Sequence, residues 1–348
     1  MTTAAKPTKT PVLVTGAAGF IGYHLARRLL ENGQPVVGFD SLNAYYDVTL
    51  KEARLRELRT LPGFVFQRGD LADRAAVDRA FETAAPRVVL HMAAQAGVRY
   101  SLTNPDSYVA SNLVGFHNMI EAARLARIDH FLYASSSSVY GANVVQPFAT
   151  DRPADHPVSL YAATKRSNEL VAHCMSHLHG LPTTGLRFFT VYGPWGRPDM
   201  ALFKFTQAIL AGEPIEIYND GNMRRDFTYI DDVVDGVLAL LDKAPVPTAP
   251  VPGRDPPLDG GWAPAKIYNV GRSKPEDLMH VVSLLETALG KVAQKVMKPL
   301  QPGDVLDTYA DVSPLADSVG YAPKVDIKDG IRLFVDWYRT YYGNGPRP

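Results

Sequence analysis

The segment from Pro11 to Asp40 constrains the fold more than any other part of this chain. A short apolar run from Pro11 to Thr15 reads as a buried strand and breaks into Gly16-Ala17-Ala18-Gly19-Phe20-Ile21-Gly22. Helical periodicity follows from Phe20 to Asn32, and Gly33 stands where a helix end favours glycine. A second apolar run, Val36-Val37-Gly38-Phe39, ends at Asp40. Strand, glycine turn, helix and strand form a βαβ unit, whose strands are parallel and joined by a right-handed crossover. The alternation continues through Phe64-Val65-Phe66, Val88-Val89-Leu90 and Phe131-Leu132-Tyr133, with helical patterns between. Continuous apolar runs suit parallel strands covered on both faces. The expectation is an α/β fold built on a doubly wound parallel sheet.

The spacing of the turn is chemical as well as steric. The first glycine allows the tight turn, the second lets backbone approach a pyrophosphate, and the third lets the helix pack closely. The helix N-terminus then offers free N–H groups to phosphates. Asp40 falls about twenty residues on, where a carboxylate meets the adenosine ribose of a dinucleotide. A 2′-phosphate would meet that charge, so NAD is favoured over NADP. Asp70 closes the third strand, in reach of an adenine amino group. Ala93, after the fourth strand, leaves room for the cofactor, and His91 reads as a packed strand residue.

Composition narrows the classes. Of 348 residues, 46% are apolar and 21% charged, which excludes disorder and fibrous repeats. Lys plus Arg balance Asp plus Glu at 36 each, so no net charge draws nucleic acid or anionic lipid. Cys174 is the only cysteine, which rules out an intrachain disulfide and fits a reducing compartment. Met1 to Thr10 lacks an apolar core, and no run of about 18 apolar residues occurs. The expectation is a cytoplasmic protein without a membrane span.

The chemistry concentrates in Tyr161-Ala162-Ala163-Thr164-Lys165. Residues four apart share a helix face. A cation beside a phenol is expected to lower its pKa, and a tyrosine so tuned takes a proton as hydride leaves the same carbon. Ser135 to Ser138 follow the fifth strand and offer hydroxyls to orient a substrate oxygen.

This ordering resembles the extended short-chain dehydrogenase/reductase family, from about Val12 to Tyr342. The resemblance implies a Rossmann-like domain with a smaller mixed α/β substrate-binding domain. Within the family, the chain is similar to the UDP-glucuronate 4-epimerases. The similarity rests on Ala96 to Ser101, Asn104-Pro105, Tyr108 to Asn112, Arg187 to Pro194, and Gly196 to Ala201. It implies Ser136, Tyr161 and Lys165 as the catalytic set. It implies NAD held by Gly16, Gly19, Phe20, Ile21, Gly22, Asp40, Asn43, Asp70, Leu71, Ala93 and Lys165. Among substrate contacts, Arg99 lies in the similar segment, Arg225 corresponds to a phosphate position, Glu216 and Tyr218 to a uracil position, and Asp304 to a ribose position. Arg197 joins Arg225 as a guanidinium suited to a diphosphate. Relatives often carry Arg where this chain has Gln301.

Neutral-sugar 4-epimerases usually carry Asn where this chain has Thr190, and related dehydratases carry an Asp-Glu pair where it has Ser137-Ser138. Oxidation at C4 of a glucuronate makes a β-keto acid that loses carbon dioxide readily. Ser136, Ser137, Ser138 and Thr190 supply a neutral hydroxyl cradle for its carboxylate. The expected function is therefore NAD-dependent 4-epimerisation of UDP-glucuronate to UDP-galacturonate. Its alternatives are a UDP-glucose or UDP-N-acetylglucosamine 4-epimerase and a non-catalytic NAD-sensing regulator. The family also implies a homodimer through helices spanning about Asp106 to Arg127 and Ser159 to His179.

The expected division is 11–192 for the cofactor domain and 193–342 mainly for the nucleotide sugar, with tails at 1–10 and 343–348. Strands are expected to thin out after Tyr192, and the proline-rich stretch from Ala244 to Lys266 to form an extended surface loop. Asp231-Asp232 is expected to cap a helix. His173 and His177 share a helical face but lack further ligands at suitable spacing, so no metal is expected.

Overall fold

The computed structural model describes residues 9–300 and 307–343. β1 (Val12–Thr15) turns at the glycines into α1 (Phe20–Glu31). β2 (Val36–Asp40), α2 (Val48–Arg59), β3 (Phe64–Arg68), α3 (Arg74–Ala84) and β4 (Val88–His91) continue the alternation. Two single turns, α4 (Tyr100–Thr103) and α5 (Pro105–Tyr108), lead through a π-helical stretch at Val109–Val114 into α6 (Gly115–Leu125). β5 (His130–Ser136), α7 (Leu160–His179), β6 (Thr183–Phe188) and β7 (Thr190–Tyr192) follow. The remainder runs α8 (Ala201–Ala211), β8 (Ile215–Tyr218), β9 (Arg224–Tyr229), α9 (Ile230–Ala239), β10 (Ala265–Val270), β11 (Pro275–Asp277) and α10 (Leu278–Leu289). It closes with β12 (Lys295–Lys298), β13 (Asp307–Thr308), α11 (Ser313–Val319) and α12 (Ile327–Tyr342).

Seven strands form one parallel sheet in the order β10-β6-β5-β4-β1-β2-β3. The chain moves outward from β1 to β3, then crosses back to β4. The strand order therefore reverses between β1 and β4, and a doubly wound sheet opens its cleft at the carboxyl ends there. Side chains of β1 alternate: Val12 and Val14 pack with α1, whereas Leu13 faces the layer holding α3 and α6. Both layers are apolar, which is why the central strands read as continuous apolar runs. β3 departs from that reading. It is an edge strand, and Val65 is half exposed.

The expectation of scarce strands after Tyr192 is overturned. Six strands, β8 to β13, lie beyond it among the described residues, and β10 joins the main sheet beside β6. β9 gathers β7, β11 and β13 around it, and β12 pairs with β8. Each carries polar residues, so none shows the continuous apolar run of the central strands.

Asp231 and Asp232 do not cap α9. The helix starts at Ile230 with Tyr229 as N-cap, so both aspartates sit inside the first turn. Asp232 accepts backbone N–H groups of Lys324 (2.9 Å) and Val325 (3.0 Å), and Asp231 pairs with Arg28. They suit the helix dipole and tie α9 to other elements.

The proline-rich segment is irregular to Pro264, and Lys266 already belongs to β10. Its Gly261 lies against the His173 ring, so His173 has a packing role. No group of three or more His, Cys, Asp or Glu placed to hold a metal occurs among the described residues. No described helix is long and apolar enough to cross a membrane. The expected tails fall mostly at 1–8 and 344–348, outside the described residues.

Candidate active site

The glycine turn is shaped by close backbone approach. Gly16 has φ +71°, and a Cβ there would lie 2.8 Å from the Ala93 nitrogen. A Cβ on Gly22 would lie 2.1 Å from the Gly16 carbonyl oxygen, which forces glycine where α1 crosses the turn. Gly19 is the N-cap of α1, without a side-chain cap, so the first N–H groups remain for another acceptor. Gly16, Gly19, Phe20, Ile21 and Gly22 all line a cavity of about 440 Å³ at the carboxyl ends of the sheet.

The other expected cofactor residues share that cavity: Asp40, Asn43, Asp70, Leu71, Ala93 and Lys165. Asp40 is held in place by N–H groups of Ala18 (3.1 Å) and Leu42 (2.9 Å). Lys51, which the sequence did not mark, donates to the Asn43 side-chain oxygen at 2.7 Å. Burial pulls the Lys51 ammonium down to about 8, opposed by Asp40. Asp70 accepts from Ala72 N–H at 2.9 Å, closing a turn after β3. His91 is a packed strand residue, as read. It hydrogen-bonds Thr15 at 2.8 Å and stacks on Phe131.

Ser136, Tyr161 and Lys165 meet at the end of β5. Ser159 N-caps α7 by accepting from Ala162 N–H at 3.1 Å, which places Tyr161 in the first turn. Ser136 in turn N-caps a short 3₁₀ turn, Ser137–Tyr140, by accepting from Ser138 N–H at 3.2 Å. The expected effect of Lys165 on Tyr161 is not what the geometry gives. Burial raises the phenol pKa, opposed first by a hydrogen bond with Ser136 and then by the Arg197 charge. Lys165 instead donates to the Ala134 carbonyl at 2.8 Å, and burial lowers its own pKa to about 8, opposed by Glu169.

Ser137, Ser138 and Thr190 line the same cavity beside this trio. Thr190 opens β7, which pairs with β9, the strand carrying Arg225. Thr190, Arg197 and Arg225 also line a second cavity of about 870 Å³, whose far wall holds Arg99, Glu216 and Tyr218. Arg99 lies over the Tyr218 ring at 4.8 Å, closing one side of it. Tyr218 also hydrogen-bonds Glu216, whose second oxygen pairs with Lys298 at 3.6 Å. Asp304 lies outside the described residues.

Arg197 carries a partner that the sequence reading missed. Its Nε and Nη2 donate to both oxygens of Asp199, at 3.0 and 2.6 Å, and the Tyr45 hydroxyl donates to the same carboxylate at 3.1 Å. The signal was present two residues after Arg197. Tyr45 and Lys51 had no local signal, because only the fold brings the β2–α2 loop and the start of α2 to the cleft.

Residues 12–253 match the model of the NAD dependent epimerase/dehydratase family. A probable UDP-glucuronate 4-epimerase of Rhizobium meliloti (strain 1021) is 50% identical over 95% of this chain and 97% of its own. The UDP-glucuronate 4-epimerase 6 of Arabidopsis thaliana is 46% identical over 99% of this chain and 75% of its own. Among solved structures, the UDP-glucuronic acid 4-epimerase of Bacillus cereus, in complex with UDP-glucuronic acid and NAD, superposes with a TM-score of 0.84. It is 33% identical, over 95% of this chain and 100% of that one. With a reversal-point cleft, a glycine turn and a Ser-Tyr-Lys constellation in one cavity, the chain belongs to the NAD dependent epimerase/dehydratase family.

Proposed function

We propose that this chain catalyses NAD-dependent 4-epimerisation of UDP-glucuronate. One observation carries the reading. Ser136, Tyr161 and Lys165 share a cavity with the glycine turn, and the hydroxyls of Ser137, Ser138 and Thr190 stand beside them.

The cofactor fits the residues present. A Cβ at Gly16 or Gly22 would collide with backbone, so these glycines keep the turn open to a pyrophosphate. Asp40, Asn43, Asp70 and Leu71 would hold the adenosine half, and Lys165 the nicotinamide half. NAD, when bound, supplies the hydride acceptor and returns the hydride.

Tyr161 is the acid/base for the C4 hydroxyl. Its phenolate is favoured by the Ser136 hydrogen bond and the Arg197 charge, which work against burial. Ser136 orients the sugar oxygen. The cradle of Ser137, Ser138 and Thr190 donates to the C6 carboxylate and holds it away from the alignment that assists decarboxylation. Arg225 and Arg197 face the diphosphate, with Asp199 and Tyr45 fixing the direction of the Arg197 fork. Glu216, Tyr218 and Arg99 take the nucleoside end, together with Asp304.

The sheet with its flanking helices, 11–192 completed by β10, serves the cofactor, and 193–342 mainly serves the sugar nucleotide. A homodimer through α6 and α7 is supported by exposed apolar side chains. Leu170 and Leu178 lie two helical turns apart on α7, and Val114, just before α6, and Leu125, at its end, are exposed. With Cys174 free, the chain fits the reducing cytoplasm.

Incubation of the purified protein with UDP-glucuronate, followed by NMR, tests the reading. Formation of the C4 epimer, faster than with UDP-glucose, is expected. NAD binding without turnover of either sugar would instead make the chain a sensor.

A further inference from the structure

The helix that carries Tyr161 and Lys165 places a third residue on the same stripe. Tyr161, Lys165 and Glu169 are spaced i, i+4 and i+8 along α7. Each engages one of three successive residues at the end of β5. Tyr161 shares the cavity wall with Ser136, Lys165 donates to the Ala134 carbonyl at 2.8 Å, and Glu169 accepts from the Ser135 hydroxyl at 2.6 Å.

Glu169 is 2% exposed and tightly held. Arg187 on β6, in register with Ser135, donates to both its oxygens at 2.8 and 2.9 Å, and Arg166 adds a third donor at 3.0 Å. The Arg187 guanidinium lies 4.7 Å from the centre of the Tyr140 ring, in the 3₁₀ turn that follows Ser136. Tyr140 donates to Asn269 of β10 at 2.7 Å. One carboxylate therefore joins the catalytic helix, the end of β5, β6 and the turn bearing Ser137 and Ser138.

Stability alone does not account for this pair. Replacing a buried ion pair with apolar residues is often neutral or stabilising. What a charged, multiply bonded pair adds is a fixed register between the elements it joins.

We propose that Glu169, held by Arg187, is a positioning residue that fixes α7 against the end of β5, so that Tyr161 and Lys165 meet Ser136 in reactive register. Glu169 touches neither substrate nor cofactor; it acts through Lys165 and Ser135. Its carboxylate also favours the ammonium form of Lys165. The other titratable or charged groups around these two are Tyr161 and Arg166 on α7, His91 on β4, Tyr133 on β5, Tyr140 in the turn and Arg187 on β6. This inference rests on the epimerase reading for its kinetic arm only.

The experiment compares wild type with Glu169→Gln, Glu169→Asp and the double variant Glu169→Gln/Arg187→Gln. The double variant removes both charges of the pair, and Arg166 keeps Asp155 at 3.3 Å, so it tests the proposal even if the single Gln variant fails to fold. Each is measured for melting temperature, NAD affinity by calorimetry from pH 6 to 10, and kcat and KM for UDP-glucuronate. The double variant should fold and keep KM within about threefold of wild type. Its kcat should fall roughly ten- to a hundredfold, and the alkaline loss of NAD affinity should begin about one pH unit lower, as expected when Lys165 loses a neighbouring carboxylate. Glu169→Asp keeps the charge, so it should keep the wild-type pH profile and recover part of kcat. A folded double variant with wild-type kcat and an unchanged pH profile of NAD affinity would overturn the proposal. If wild type does not turn over UDP-glucuronate, the epimerase reading fails, and the calorimetric profile alone decides this one.

Discussion

At the residue scale, Tyr161 and Thr190 separate proton transfer from carboxylate handling. Tyr161→Phe keeps the ring and removes the phenolic oxygen beside Ser136. Epimerisation should fall by roughly 10²–10⁴, the usual contribution of a positioned acid/base. NAD affinity and melting temperature should stay near wild type, and turnover at neutral pH above a tenth of wild type would remove Tyr161 from the role. Thr190→Val keeps the shape of a side chain at the junction of the two cavities and removes a donor. A lost hydrogen bond to a charged group costs about 1.5–3 kcal/mol, a roughly ten- to hundredfold loss of turnover if it falls on the transition state. A UDP-pentose by-product should appear on NMR, and wild-type rate without it would detach Thr190 from the carboxylate. These positions were legible because their spacing is local: a turn, a helix face, a strand end. The direction of the Tyr161 pKa was not, because burial is set by chain far away in sequence. The Arg197 partner was legible in principle, since Asp199 follows it by two residues.

At the element scale, the junction of β1 and α1 has the least slack. Gly22 sits on the first turn of α1, where a Cβ would meet the Gly16 carbonyl. Gly22→Ala must push α1 off the turn. Overpacking of this kind costs about 1–3 kcal/mol, and the displaced N–H groups should weaken NAD binding at least tenfold. Thermal melting and calorimetry measure both, and unchanged NAD affinity would show that the turn adjusts without moving the helix. The strand–helix alternation of the first half was readable because parallel central strands are covered on both faces and must be apolar throughout. The later strands escaped because each carries polar residues and is defined by a distant partner, as β13 is by β9 and β10 by β6. Asp231 and Asp232 escaped for a similar reason. Asp232 answers the backbone of Lys324 and Val325, and no local pattern shows a bond across ninety residues.

At the scale of the whole molecule, closing the seven-stranded sheet buries two histidines that the unfolded chain exposes. His91 on β4 is 2% exposed and His130 on β5 is 1% exposed. His130 donates to the Leu241 carbonyl and accepts from Thr184, so its neutral ring is fully satisfied. Burial lowers His91 to about 3 and His130 to about 4, against roughly 6.5 in an unfolded chain. Above pH 6.5 both states hold these rings neutral, and the folded state keeps its full advantage. As pH falls below that, the unfolded chain binds protons that the folded chain refuses, so stability is lost progressively until about pH 4 for His130 and about 3 for His91. Between pH 7 and 5.5 the two together should cost roughly 2 kcal/mol. The salt-bridged carboxylates Glu169 and Asp199 stay ionised over this window, because their arginine partners outweigh burial and hold them below the usual carboxylate range. Asp226 and Asp231, which burial raises, act in the opposite sense but equally in any variant that leaves them alone. Urea denaturation of wild type and of His91→Asn/His130→Gln at both pH values isolates the histidines. The double variant should be less stable at pH 7, since it loses packing on Phe131, yet it should lose about 2 kcal/mol less than wild type on acidification. Equal losses in the two proteins would mean that these rings take up protons in the folded state, and that the layers over β4 and β5 admit water.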